Sequence, residues 1–333
     1  MEYRFLGNTG LKVSELVLGT QTFGWGADEK AAFTMSDLYV DQGGNFFDTA
    51  NIYNQGVSES ILGKWLKQSG IRDSLIIASK VFFPTGEGPN DTGLTRKHIH
   101  RSIDESLRRL QTDYLDLYQM HCYDMSTPLE ETLMALDDLV HMGKVRYLGA
   151  SNFTPSQLQK SIMLSRMNGW CPFVSLQAEH SLIVRSTEWE LLPLCREEGL
   201  GFLAWSPLAG GWLSGKYRKD KAPPRNSRVG RKDRWDDQPE QRESELAWRV
   251  IEALLAIGKK RHKTPAQVAL NWLLQQPGMT APILGTRTMD QLRDNMGAAG
   301  WSLSPEEMDR LERESAIPLP YPYRFVERYT RRR

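Results

Sequence analysis

An acid, a phenol, an ammonium and an imidazole stand at the ends of short apolar runs. Asp48 and Tyr53 follow the uncharged run Asn45–Phe47 in NFFDTANIY, Lys80 closes LIIASK, and His121 closes YLDLYQMH. A lysine that ends an apolar strand is costly to bury without a carboxylate, and Asp48 is its natural partner. A phenol, with an ordinary pKa of about 10, is a poor acid at neutral pH. A neighbouring ammonium stabilises the phenolate and is expected to lower that value. The chemistry this set can perform is protonation by Tyr53 of an oxygen on which negative charge develops. Asp48 and Lys80 would tune the phenol, and His121 would orient or polarise the same carbonyl. Taken singly, Asp48 reads as a strand-end cap, Tyr53 as a packed aromatic, Lys80 as a structural ion and His121 as a core histidine. Their coincidence at successive strand ends carries the functional reading.

The elements that position them alternate along the chain. Tyr3–Leu6 and Leu11–Val13 flank Gly7-Asn8-Thr9-Gly10, a hairpin signal within residues 1–14. Eight strands are then expected, at LVLGT (Leu16–Thr20), Asn45–Phe47, Leu75–Lys80, Tyr114–His121, Val145–Asn152, Val174–Glu179, Gly201–Pro207 and Ala281–Thr286. Helical spacing recurs between them at Glu29–Gln42, Ser58–Lys67, Thr95–Leu110, Leu129–Met142, Pro155–Met167, Glu188–Glu198 and Thr264–Gln275. This alternation, with no linker to separate domains, predicts one (β/α)₈ barrel over residues 1–333, in which reacting groups gather where strands end. Gly215–Arg242 is charged and aperiodic and reads as a functional lid or a disordered segment after the seventh strand. The aromatic tail, residues 318–333, is expected to pack.

The residues at these strand ends are similar to the Asp, Tyr, Lys and His tetrad of the aldo-keto reductase superfamily, and the resemblance covers nearly the whole chain. It implies a barrel fold and hydride transfer between NADP(H) and a carbonyl or alcohol. It implies that Ser151, Asn152 and Gln177 hold the nicotinamide carboxamide. Trp205 would stack on the nicotinamide ring, with Ser206, Pro207, Leu208 and Gly210 along the pyrophosphate. Lys216 and Arg228 would neutralise phosphate charge, and Thr20, Gln21 and Asp48 would face the nicotinamide. The segment GTRTMDQLRDN resembles the family's adenosine-end segment, which assigns Gly285, Arg287, Gln291, Asp294 and Asn295 to that end. Many family members carry Arg where this chain has Gln291, so a 2′-phosphate would rely on Arg287 or another cation. NADPH is expected in preference to NADH. WSPLAGGWLSGKY, Gln291 and PYPYRFVERY resemble the branch that includes voltage-gated potassium-channel β-subunits and their bacterial relatives, some of which form homo-oligomers. The alternative to an enzyme is therefore a cofactor-loaded accessory subunit; several β-subunits lack the histidine that His121 matches here, which favours an enzyme.

Trp25, Phe82, Phe83 and Tyr123 are expected to form an aromatic wall for a small carbonyl substrate. A net charge of +1 over 333 residues gives no argument for nucleic acid. No apolar run reaches the ~18 residues of a membrane span. Cys122, Cys171 and Cys195 lack zinc spacing, His98 and His100 lack further ligands, and no metal is expected. The cysteines read as reduced thiols of a cytoplasmic protein. His141, His180 and His262 read as structural.

Overall fold

Short apolar runs with alternating faces close into a barrel. Its strands are β3 (Val17–Gly19), β4 (Phe46–Asp48), β5 (Ile76–Val81), β6 (Leu115–Met120), β7 (Val145–Ser151), β8 (Phe173–Glu179), β9 (Gly201–Trp205) and β10 (Met279–Gly285). All pair in parallel, and β10 returns to β3 to complete the ring. The computed structural model describes residues 1–219, 221, 222, 224 and 244–330. Most of the expected loop at 215–242 lies outside the described residues.

Period-two alternation decides which side chains reach the interior. Phe46, Ile76, Ala78, Leu117, Leu203, Ala281 and Ile283 form the inner core, while Phe47, Ile77, Val81, Tyr118, Leu176 and Phe202 face the helices. Two residues beyond an inward position is again inward, so Phe46 carries Asp48, Ala78 carries Lys80, and Leu117 carries Gln119. The antiparallel hairpin of β1 (Tyr3–Phe5) and β2 (Lys12–Ser14) places Leu6 and Val13 in the same inner core. It plugs the end where the strands begin. Gly7 makes that plug fit: its φ is +57°, and a Cβ there would lie 2.5 Å from the Gly199 carbonyl oxygen.

The surrounding helices are α1 (Glu29–Asp41), α2 (Val57–Ser69), α3 (Arg96–Leu110), α4 (Leu129–His141), α5 (Pro155–Asn168) and α6 (Leu191–Glu198). They are followed by α7 (Glu245–Arg261), α8 (Pro265–Leu274), α9 (Met289–Met296), α10 (Pro305–Glu314) and α11 (Tyr323–Tyr329). Local sequence starts several of them. Thr154 with Gln157 and Thr264 with Gln267 form reciprocal capping boxes, each with proline in the first turn. Two expectations are corrected. The helix read over Glu188–Glu198 is a 3₁₀ turn at Ser186–Glu188, then α6 from Leu191. Helices α7, α9, α10 and α11 lie outside the predicted set. In the tail, Tyr323 stacks on Trp189 at 5.8 Å, while Tyr321, Phe325 and Tyr329 are exposed.

Candidate active site

The inward residues at the ends of neighbouring strands meet. Lys80 is fully buried, and its ammonium donates to Asp48 Oδ2 at 2.5 Å, to the Thr49 carbonyl at 2.9 Å and to the Tyr53 phenol oxygen at 3.2 Å. A lysine has three hydrogens to give, and these three acceptors use all of them. Asp48 is equally fixed. Its Oδ1 accepts from Gln177 Nε2 at 2.8 Å and from Gln119 Nε2 at 3.2 Å. Gln177 also donates to Gln119 Oε1 at 3.2 Å.

Gln119 was absent from the sequence reading. The signal was present: it is an amide in the inward register of β6, two residues before His121. Gly149 opposite it leaves the room, since a Cβ there would lie 2.7 Å from Ser175 Oγ and 3.1 Å from Gln119 Cγ. Gln177 lies in the same network, its amide nitrogen committed to Asp48.

Tyr53 reaches Lys80 because the chain turns sharply after β4: Asn54 and Gln55 follow it with φ of 48° and 54°. Non-glycine residues with positive φ concentrate at this end of the barrel. Five of the seven among the described residues, Asn54, Gln55, Asn152, Ser206 and Ala209, lie in loops after β4, β7 and β9. Such conformations are retained where surrounding structure enforces them, and functional sites are where they cluster.

The electrostatics follow from burial and from Lys80. Burial alone would depress the ammonium, but Asp48 and then Tyr53 outweigh it and leave the Lys80 pKa raised. The phenol departs from expectation. Burial pushes the Tyr53 pKa up, Lys80 pulls it down, Asp48 pushes back, and the net shift is upward. Lost solvation and the carboxylate behind the ammonium together outweigh the pull of Lys80. His121 lies edge-on to Tyr53, with ring centroids 5.8 Å apart. Burial, and secondarily Lys80, hold it well below the ordinary imidazole pKa, so it is neutral at physiological pH. Its Nδ1 is buried with no hydrogen-bond partner among the described residues.

The other expected residues that are described lie at or after the ends of β3, β7, β9 and β10. Asn152 Nδ2 donates to the His121 carbonyl at 2.9 Å, and its Oδ1 accepts from Trp205 Nε1 at 3.0 Å. Ser151 is buried beside it and accepts from the same Nδ2 at 3.1 Å. Thr20 donates through its backbone and its hydroxyl to the Asp48 carbonyl. The Gln21 carbonyl accepts from Trp25 Nε1. After β9, Ser206 and Pro207 lead through Leu208 into the left-handed Ala209, Gly210 and Gly211. The Lys216 ammonium sits where a Gly211 Cβ would be, 2.6 Å away. A side chain at Gly26 would similarly meet the Arg287 stem at 3.0 Å. Gly285, the last residue of β10, is exposed, and its strand leads to α9, which Thr288 caps. Gln291 reaches back to the Arg287 backbone N–H at 2.9 Å. Asp294 is taken up by the Thr264 hydroxyl at 2.9 Å, and Asn295 is buried. Arg228 lies outside the described residues.

Of the expected aromatic wall, Phe83 lies against His121 at 4.8 Å and Phe82 against Phe83 at 5.2 Å. Trp25 is 41% exposed on the loop after β3. Tyr123 packs on Phe153 at 5.1 Å.

Residues 15–315 match the model of the Aldo/keto reductase family. The chain belongs to the aldo/keto reductase family. This aldo/keto reductase is 44% identical over 315 residues to the uncharacterized oxidoreductase YrpG of Bacillus subtilis, covering 92% of this chain and 93% of that one. It is 34% identical to the versiconal hemiacetal acetate reductase of Aspergillus parasiticus, covering 96% and 98% of the two chains. It is 36% identical to a probable voltage-gated potassium channel subunit beta of Arabidopsis thaliana, covering 97% and 100%. The protein is thus an oxidoreductase enzyme with the family's barrel.

Proposed function

We propose that this aldo/keto reductase reduces aldehydes or ketones to alcohols, with Tyr53 as proton donor. The observation that carries the proposal is the direction of the Lys80–Tyr53 hydrogen bond. An ammonium has no lone pair, so Lys80 must donate to the phenol oxygen. Tyr53 keeps its own hydrogen for another acceptor, and its raised pKa keeps that hydrogen in place at neutral pH. A carbonyl oxygen beside the phenol takes the proton as charge develops on it, and Lys80 compensates the phenolate left behind. Asp48, fixed by Gln119 and Gln177, holds Lys80 in line. Neutral His121 offers the same oxygen a hydrogen bond rather than a competing charge.

The rim fits a nicotinamide dinucleotide. Trp205, tied to Asn152, offers a ring face; the glycine-lined turn under Lys216 suits a diphosphate; Arg287 suits a 2′-phosphate. When bound, the nicotinamide supplies the hydride to the carbonyl carbon. Arg287 supports NADPH over NADH. Phe83, Phe82 and Trp25 favour an apolar or aromatic aldehyde. No described helix is long and apolar enough to cross a membrane, and the three cysteines are free, which supports a cytoplasmic location.

Loss of NADPH absorbance with a panel of simple aldehydes, one of them an activated aromatic, tests the proposal. Tyr53→Phe should lower kcat by about 10²–10⁴-fold while cofactor affinity stays within a factor of a few. NADH should serve less well. The relative named as a channel subunit gives the second reading, an accessory subunit. Tight NADPH binding without turnover of any aldehyde would favour it.

A further inference from the structure

A second cluster of reactive side chains lies at the opposite end of the barrel. Asp137 and His141 are one turn apart at the end of α4, and Cys171 comes from the segment between α5 and β8. One ligand atom from each lies within 4.8 Å of the others, the only such set of three among the described residues. His141 Nδ1 is 3.3 Å from Asp137 Oδ2. Bonds of about 2.0–2.2 Å to nitrogen and oxygen at a tetrahedral angle place those atoms roughly 3.3–3.5 Å apart, so the pair already has the spacing of two ligands on one ion.

The third ligand is held in register by the backbone. The Cys171 N–H donates to Asp137 Oδ1 at 2.8 Å, leaving Oδ2 toward His141. The Cys171 thiol lies within 4.8 Å of the ligand atoms that Asp137 and His141 offer. Asp137 and Cys171 are half-buried and His141 is exposed, so the cluster is anchored on one side and open to solvent on the other. Pro172 follows Cys171 and stiffens the approach to β8.

We propose that Asp137, His141 and Cys171 form a binding site for a divalent first-row transition ion of the zinc type, with water completing a tetrahedral shell. Thiolate and imidazole together select against magnesium and calcium, which take oxygen ligands. The ion enters in exchange for the thiol proton of Cys171. His141 Nδ1 gives up its 3.0 Å contact with the Asp137 carbonyl oxygen. The site takes no part in carbonyl reduction. Cys171 lies six residues before Gln177, about 20 Å along an extended strand. It joins the end of α4 to the start of β8 on the face where strands begin, a position that governs stability.

Cobalt(II) titration of the full-length protein, freed of metal by a chelator, tests the proposal, because a cobalt–thiolate bond gives a near-ultraviolet charge-transfer band. The expected result is one equivalent bound per chain, a thiolate band with tetrahedral visible bands, and displacement of cobalt by zinc. Cys171→Ser removes the thiolate band, and Cys122→Ser keeps it. Loss of a group that merely orients a ligand costs 10–100-fold in metal affinity, so His141→Ala is expected to cost at least about that much. His141 is 72% exposed at its side chain, so this variant reports on binding without risk to folding, which circular dichroism verifies. Zinc should raise the Tm of the wild-type protein and leave that of His141→Ala unchanged. The proposal is overturned by the absence of a thiolate band, by a band that survives Cys171→Ser, or by equal affinity in wild type and His141→Ala.

Discussion

Replacing Lys80 with methionine separates what the ammonium does for the fold from what it does for the phenol. The substitution keeps roughly the side-chain volume and removes the charge. Asp48, 2% exposed, then keeps only two amide donors for a buried carboxylate. Removing one partner of a buried pair typically costs about 3–5 kcal/mol, because the remaining charge is left uncompensated. Asp48→Asn with Lys80→Met removes both charges and should recover stability to within about 1–2 kcal/mol of wild type, since a neutral pair of similar volume is tolerated. Catalysis should not recover. A charge 3.2 Å from the phenol oxygen is worth roughly 5 kcal/mol to a full phenolate at an effective dielectric near 20. Partial charge in the transition state puts the loss of kcat at about 10²–10⁴-fold in both the single and the double variant. Urea unfolding gives the stability and NADPH oxidation gives the rate. A single variant that loses less than about 1 kcal/mol would refute the reasoning. So would a double variant no more stable than the single one, or one that regains activity.

Three further outcomes follow from the structure, two of them measured by urea unfolding. His180 is fully buried against Trp272, with its pKa pushed down to about 3 by burial and then by Arg185. Glu188, 3.6 Å from it, is already bound by Arg185 at 2.7 and 2.6 Å and does not offset this. The unfolded chain therefore takes up this proton near pH 6.5 and the folded chain does not. Stability present above that pH is lost as pH falls, by about 2 kcal/mol at pH 5 from His180 alone. His180→Gln should flatten this slope, and an unchanged pH dependence would contradict the assignment. His121, also depressed, should give no ionisation in the kcat profile between pH 6 and 8, so a kinetic step that disappears in His121→Gln would count against a neutral imidazole. Gly149→Ala places a methyl group 2.7 Å from Ser175 Oγ and should cost about 1–3 kcal/mol. Because it also crowds Gln119, kcat should fall with it, and a fully active, fully stable variant would show that Gln119 need not be fixed.

The strand ends were legible because burial leaves so few polar residues in a parallel strand. Asp48 and Lys80 stand out against Phe46-Phe47 and Ile76-Ile77 by composition alone, and His121 by its place at the end of β6. Period two then fixes which of them face inward together. Gln119 was legible on the same rule but has no ionisable group to draw the eye. The capping signals that bound α5 and α8 are local, so sequence states them fully. What sequence could not state is anything that sums over distant neighbours. The upward shift of Tyr53 balances solvation lost to the whole barrel against one ammonium and one carboxylate, and only the folded arrangement sets the three magnitudes. The same holds for Asp137, His141 and Cys171, which a spacing rule passes over because a helix end and a loop 30 residues away meet only in space. The chain thus determined by itself which groups reach the mouth of the barrel. The tertiary structure decided what each group feels there, because electrostatic interaction depends on distance and solvent exclusion, and neither is written in the order of residues.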